Sequence, residues 1–178
     1  MPKLIAFCGL AGSGKSTAAR HLITNHHFVK TPFAGPLKNM LAVLGLNHEQ
    51  LNGSLKEIPT PLLGGKTPRW AMQTLGTEWG RELIYENIWV DAWKYHVQRN
   101  FGDNYNIVVD DLRFPNEEAT VRSLGGKIIK IIRDVPGVHV NSTKHESESC
   151  SIAADLTIYN TKTISALEEC LDRIIPTL

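Results

Sequence analysis

Leu4-Ile-Ala-Phe-Cys8 runs directly into Gly9-Leu-Ala-Gly-Ser-Gly-Lys-Ser16, an apolar stretch of strand length followed by the spacing G-x-x-x-x-G-K-[ST] of a phosphate-binding loop. In that arrangement a buried strand stops and glycines let the backbone curl around an anion. A helix starting near Lys15 then aims its N–H groups and the positive end of its dipole at the phosphates. The helical run Ser16-Thr-Ala-Ala-Arg-His-Leu-Ile23 behind the loop supplies the context the motif requires. Gly9, Ala11, Gly12, Ser13, Gly14, Lys15, Ser16 and Thr17 are therefore candidate nucleotide-binding residues. Lys15 is positioned to bridge the β- and γ-phosphates of ATP, and the Ser16 hydroxyl to ligate Mg2+.

Working outward, strand-like and helix-like runs alternate along the 178 residues, which predicts an α/β fold with a parallel sheet covered by helices on both faces. Strands are expected at Leu4–Cys8, Phe28–Thr31, Asn106–Asp110, Lys127–Arg133 and Leu156–Tyr159. Helices are expected over Lys15–Ile23, Pro36–Leu44, much of 68–99, from Pro115 to the Gly125-Gly126 stop, and from Ile164 to Ile174. The stretch 47–66, with Gly53, Pro59, Pro61, Gly64 and Gly65, has the composition of a mobile loop. Gly76 and Gly80 suggest a break in the tryptophan-rich helical region. The length fits one domain, 1–178, with no internal repeat.

Composition narrows the function. Nineteen basic and 18 acidic side chains are scattered evenly and give a net charge of +1, so there is no stripe for a nucleic-acid polymer. No apolar run reaches membrane-spanning length and no leader-like segment precedes the first strand, which predicts a cytoplasmic protein without a membrane partner. Cys8, Cys150 and Cys170 are too widely spaced for a metal pair and read as reduced thiols. Of the seven histidines, His26 and His27 are chain neighbours, and neighbours do not share a face, so no histidine metal site is expected.

The second informative segment is Asn106-Ile-Val-Val-Asp-Asp-Leu-Arg-Phe-Pro-Asn-Glu117, a strand that delivers carboxylates and then an arginine at its carboxyl end, where parallel sheets place their ligands. Asp110, nearer the strand, is the candidate for the Mg2+ side, while Asp111 is left for substrate or for capping the next turn. Arg113 should project over the same edge, where its planar fork suits a second phosphate. An ion pair with Glu117 or Glu118 is the alternative.

Gly9–Thr17, Phe33-Ala-Gly-Pro-Leu-Lys38, Arg69 with Gln73-Thr-Leu-Gly-Thr-Glu-Trp-Gly-Arg81, Ile88-Trp-Val90, Asp111-Leu-Arg-Phe-Pro-Asn-Glu117 and His145-Glu-Ser-Glu148 together resemble the deoxynucleoside monophosphate kinases of tailed bacteriophages. That resemblance implies a P-loop three-layer α/β/α fold with a five-stranded parallel sheet, a helical substrate-binding insert at about 33–100 and a lid at about 134–151. It also implies the reaction ATP plus dNMP giving ADP plus dNDP. Ser16 stands where many members carry aspartate, and Thr143 where many carry an acidic residue, which leaves His145 and Glu148 without an assigned role.

Within the insert, Lys38, Arg69 and Arg81 supply cations for the acceptor phosphate, and Gln73 can pair with a base edge. Phe33, with Trp70 or Trp79, can stack on the base. Arg69 and Gln73 are four residues apart and share a helix face. Transfer to a phosphate needs no general base, only charge neutralisation and in-line alignment. Lys15, Asp110, Arg113 and Arg133 are accordingly the catalytic candidates, with Lys144 as a further lid cation and Asn160 near the adenine. A kinase for another phosphorylated acceptor, such as dephospho-coenzyme A, is the alternative reading, and a homodimer is left open. A GTPase-like switch is disfavoured, because Asn160-Thr-Lys162 does not match N-K-x-D.

Overall fold

β1 (Leu4–Cys8) is buried from Ile5 onward because it lies at the centre of a five-stranded sheet. The computed structural model describes residues 3–101, 104–133 and 152–178. In chain order the remaining elements are α1 (Lys15–His26), β2 (Phe28–Lys30), α2 (Gly35–Val43), α3 (His48–Asn52), α4 (Pro68–Thr74), α5 (Ile88–Asn100), β3 (Asn106–Val109), α6 (Pro115–Ser123), β4 (Lys127–Ile132), β5 (Leu156–Tyr159) and α7 (Ile164–Ile174). The strand order is β2-β3-β1-β4-β5 and every pairing is parallel, as expected from the alternating pattern. All carboxyl ends therefore share one edge of the sheet, and the connections leaving the adjacent strands β1 and β3 run to opposite sides, which puts the switch point between those two strands.

The chain falls into two compact units, Met1–Pro32 with Gln98–Leu178, and Phe33–Val97 inserted between them. The second unit interrupts the first in the sequence. In the sheet unit, Ile5 and Phe7 of β1 pack with Ala18, Ala19 and Leu22 of α1, and with Leu167 and Leu171 of α7. Ala6 and Cys8 point to the opposite face, since side chains alternate along a strand, and α6 packs along β4 with Val121 fully buried. This makes three layers. The expected lid at 134–151, with Lys144, His145, Glu148 and Cys150, lies outside the described residues. Among the described residues no helix is long and apolar enough to cross a membrane.

The inserted unit has its own core of Leu37, Leu41, Leu46, Leu51, Ala71 and Trp89. The expected loop at 47–66 contains α3, whose start was legible as N-x-x-Q: Asn47 Oδ1 accepts from Gln50 N and Gln50 Oε1 accepts from Asn47 N, both at 3.0 Å. The expected break at Gly76 and Gly80 is absent. Instead α4 continues into a π-helical stretch, Leu75–Ile84, in which Tyr85 N still bonds back to Gly80 O at 2.9 Å. Gly80 is there for space, since a Cβ on it would lie 2.6 Å from Trp89 Nε1, and the same indole donates to Gly76 O at 2.7 Å.

Asp155 fastens the return of the chain into the sheet. Its Oδ2 accepts from Ile128 N at 2.7 Å, and its Oδ1 from Arg122 Nη1 at 3.2 Å. Burial alone would raise the Asp155 pKa, but the Ile128 N–H and the Arg122 guanidinium outweigh it and hold the carboxyl below its ordinary range. A carboxyl depressed in the folded state stabilises above its unfolded pKa, and that contribution is lost as pH falls through the folded value. The urea midpoint should therefore decline between neutral pH and about pH 2 less steeply in Asp155→Asn than in the parent. An equally steep decline in the variant would place the titration elsewhere.

Candidate active site

Between β1 and α1 the backbone turns back on itself with Gly9, Gly12 and Gly14 all at positive φ. Two of these positions admit only glycine. At Gly9 (φ 136°) a Cβ would lie 2.3 Å from Ile131 O, and at Gly14 (φ 110°) 2.5 Å from Asn160 Nδ2. α1 begins at Lys15 with no side-chain cap and no acidic residue in its first turn. Its amino end therefore keeps the positive field that a capping carboxylate would have absorbed. Lys15 Nζ donates to Gly9 O and Leu10 O, each at 2.7 Å, which holds the ammonium over the loop.

Asp110 follows β3 immediately, beside the loop, and is only 7 % exposed. Its Oδ2 accepts from Ser16 Oγ at 3.0 Å and from Lys30 Nζ at 2.6 Å. The structure thus brings together the two residues expected to serve Mg2+, and adds a third that sequence reading missed. Lys30 is the last residue of β2, and β2 pairs with β3, so the topology delivers it to Asp110. The available signal was its place at a strand's carboxyl end, but the neighbouring strand is chosen by pairing. The donor set beside the loop, a hydroxyl and a carboxylate, consists of hard oxygens and suits Mg2+.

Asn160, expected near the adenine, is 9 % exposed and donates from Nδ2 to Ser13 O at 2.9 Å. It braces the loop from behind, so its reach is spent inside the protein. Replacing it with alanine strands a buried carbonyl, and the expected loss is about 1–3 kcal/mol of unfolding free energy. Urea unfolding with ATP affinity measured alongside checks this, and an unchanged midpoint would remove the strut role. Glu117 is buried and accepts the N–H groups of both Arg113 and Phe114, at 2.8 and 3.1 Å, while Glu118 pairs with Arg122 at 3.0 Å. Through its two bonds Glu117 fixes the turn that carries Arg113. Asp111 lies half-buried beside Asp110, and Arg133 is exposed just past β4, on the same carboxyl edge as Asp110.

In the inserted unit the expected roles divide. Phe33, expected to stack on the base, is 2 % exposed and packs on Trp93 at 4.7 Å between ring centroids, so it is a core residue. Trp89 and Trp93 are core as well, whereas Trp79 and Trp70 are 37 % and 48 % exposed. Trp79 and Trp70 thus keep exposed indole surface, and Lys66 Nζ lies 5.3 Å from the Trp70 ring centroid. Arg69 and Gln73 share α4 as expected, but Arg69 Nε is ion-paired with Glu57. Lys38 Nζ donates to Asn52 Oδ1 at 2.8 Å, and Arg81 Nη1 to Glu86 O at 3.3 Å.

A parallel sheet of this order, a glycine loop feeding an uncapped helix, and a hydroxyl–carboxylate pair beside it define a P-loop nucleotide-binding protein. The family model described as deoxynucleotide monophosphate kinase matches residues 66–171. That match begins well after the P-loop, so loop and family are independent pointers. An Acanthamoeba polyphaga mimivirus protein, provisionally named deoxynucleotide monophosphate kinase, is 35% identical over 187 residues, covering 95% of this chain and 96% of that protein. The deoxynucleoside-5'-monophosphate kinase of Escherichia phage T5 is 38% identical over 56 residues, 32% of this chain and 22% of its own. Among solved structures, TT1252 from Thermus thermophilus aligns over 99% of this chain and 98% of its own, with a TM-score of 0.52 and 16% identity, a likeness of fold. The chain belongs to the deoxynucleotide monophosphate kinase family, and it is a kinase.

Proposed function

We propose that this protein transfers the γ-phosphoryl group of ATP to the phosphate of a deoxynucleoside monophosphate, giving ADP and a dNDP. The observation that carries this is Asp110 bonded to Ser16 beside the P-loop, in a chain of this family. Gly9, Ala11, Gly12, Ser13, Gly14 and Thr17 form the phosphate cradle, and Lys15 neutralises the β- and γ-oxygens. Ser16 and Asp110 would hold Mg2+, which when bound supplies charge neutralisation for the polyphosphate. Asn160 keeps the cradle in shape.

On the acceptor side, Arg113 clamps the monophosphate with its planar fork, and Lys38, Arg69 and Arg81 add positive charge. Gln73 reads a base edge while Trp79 stacks on the base. Asp111 bonds to the acceptor, and Arg133 offsets charge on the transferring phosphoryl. The acceptor oxygen is already an anion, so no residue needs to remove a proton. For Arg69 to serve, its pair with Glu57 must open, which an exposed pair does at little cost.

The test is ADP release with dAMP, dGMP, dCMP, dTMP, their ribose counterparts and dephospho-coenzyme A. ADP should form only with an added nucleoside monophosphate and match dNDP in amount. Arg113→Ala should raise KM for the acceptor about tenfold or more while leaving KM for ATP close to the parent value. Equal turnover without an acceptor, or ADP formed only with dephospho-coenzyme A, overturns the reading.

A further inference from the structure

We propose that His21, His26 and Asp172 form a binding site for one borderline divalent transition-metal ion of the Zn2+ type, apart from the nucleotide site. The inference goes beyond the kinase reading and does not rest on it. Although His26 and His27 cannot share a ligand, α1 and α7 bring His26 together with His21 and a carboxylate. One ligand atom from each of His21, His26 and Asp172 lies within 4.8 Å of the others. Both imidazoles converge through Nε2 on a single oxygen, Asp172 Oδ1, at 2.6 and 2.7 Å. The rings meet edge to face, 5.6 Å between centroids.

The surroundings match what a metal-binding imidazole needs. His21 is buried, and its far nitrogen, Nδ1, has Asn25 Nδ2 at 2.9 Å and Glu168 Oε1 at 3.8 Å. With Asn25 donating to Nδ1, the neutral ring carries its proton on Nε2 and donates it to Asp172. Metal binding requires the other tautomer: the proton moves to Nδ1 once the Asn25 amide turns its oxygen to the ring, the Glu168 carboxylate 3.8 Å away favours it there electrostatically, and the Nε2 lone pair is released to the ion. A carboxylate behind the ligating histidine is the partner that fixes this tautomer and raises the ring's basicity. Asp172 is half exposed, so the ion has an entry path and room for a water as fourth ligand. Two imidazoles and one carboxylate select Zn2+, Cu2+ or Ni2+ over the hard Mg2+ that suits Ser16 and Asp110.

Chelator-stripped protein, kept in excess Mg2+ to fill the hard-oxygen site, is titrated with Co2+ as an optical stand-in for Zn2+. One equivalent should produce a saturable ligand-field absorption without a thiolate charge-transfer band, and one equivalent of Zn2+ should abolish it. His26→Gln and Asp172→Asn should each weaken Co2+ binding by more than tenfold, and Glu168→Gln by about tenfold through the tautomer. His26 is the more exposed ring, so its variant keeps the test valid if the buried His21 proves needed for folding. Absence of a saturable band, a thiolate band pointing to Cys170, or parental affinity in both His26→Gln and Asp172→Asn overturns the proposal. ATP turnover in Mg2+ alone is measured in parallel, so failure of this site and failure of the kinase reading stay distinct.

Discussion

Lys15→Ala is expected to lower kcat/KM for phosphoryl transfer by about a thousandfold or more while leaving the fold intact. The ammonium is the single charge that the loop itself presents, and it is held over Gly9 and Leu10 by two carbonyl bonds at 2.7 Å. Those bonds keep it ready without burying it, so exchanging them for water costs little stability. On a nucleotide the same ammonium leaves the carbonyls for phosphate oxygens, where its charge matters most as the γ-phosphoryl departs. A thousandfold loss corresponds to about 4 kcal/mol of transition-state stabilisation, which is reasonable for a placed charge in a site shielded from water. Steady-state kinetics on the variant, with circular dichroism to confirm folding, measures both halves. Turnover within threefold of the parent would mean that the loop's backbone alone carries the charge.

Asp110→Asn is expected to cost about a hundredfold to a thousandfold in kcat/KM and to raise the Mg2+ concentration needed for half-maximal rate. The amide oxygen can still accept from Ser16, so shape is conserved and only the charge is lost. Stability should fall by about 1 kcal/mol or less, because the Lys30 side chain is 39% exposed and water can replace its partner. Lys30→Met separates the two duties of Asp110. If the carboxylate serves Mg2+, this variant keeps its Mg2+ dependence, whereas Asp110→Asn does not. Equal Mg2+ profiles for parent and Asp110→Asn would reduce Asp110 to an anchor for Lys30.

Much of this architecture was legible in the chain because it rests on local rules. The apolar run before Gly9, the Gly125-Gly126 stop after α6 and the amphipathic α7 each follow from a few adjacent residues, and the parallel sheet follows from their alternation. The π-helical stretch was not legible, since Gly76 and Gly80 are ordinary helix breakers until Trp89 packs over them. Phe33 was misread for the same reason: a buried aromatic and a base-stacking one have the same sequence signature, and Trp93 decides between them.

The one-dimensional pattern by itself determined the α/β class, the phosphate loop with Lys15 and Ser16, and the carboxylate edge after β3, because glycine geometry, strand ends and helix starts are set within about ten residues. Only the tertiary structure decided that Lys30 joins Asp110, that Asn160 braces the loop, and that His21 and His26 share Asp172. Those pairings join residues 80, 147 and 146–151 positions apart. Partners so distant are chosen by strand order and by which helices cover the same face, and no spacing along the chain encodes that choice.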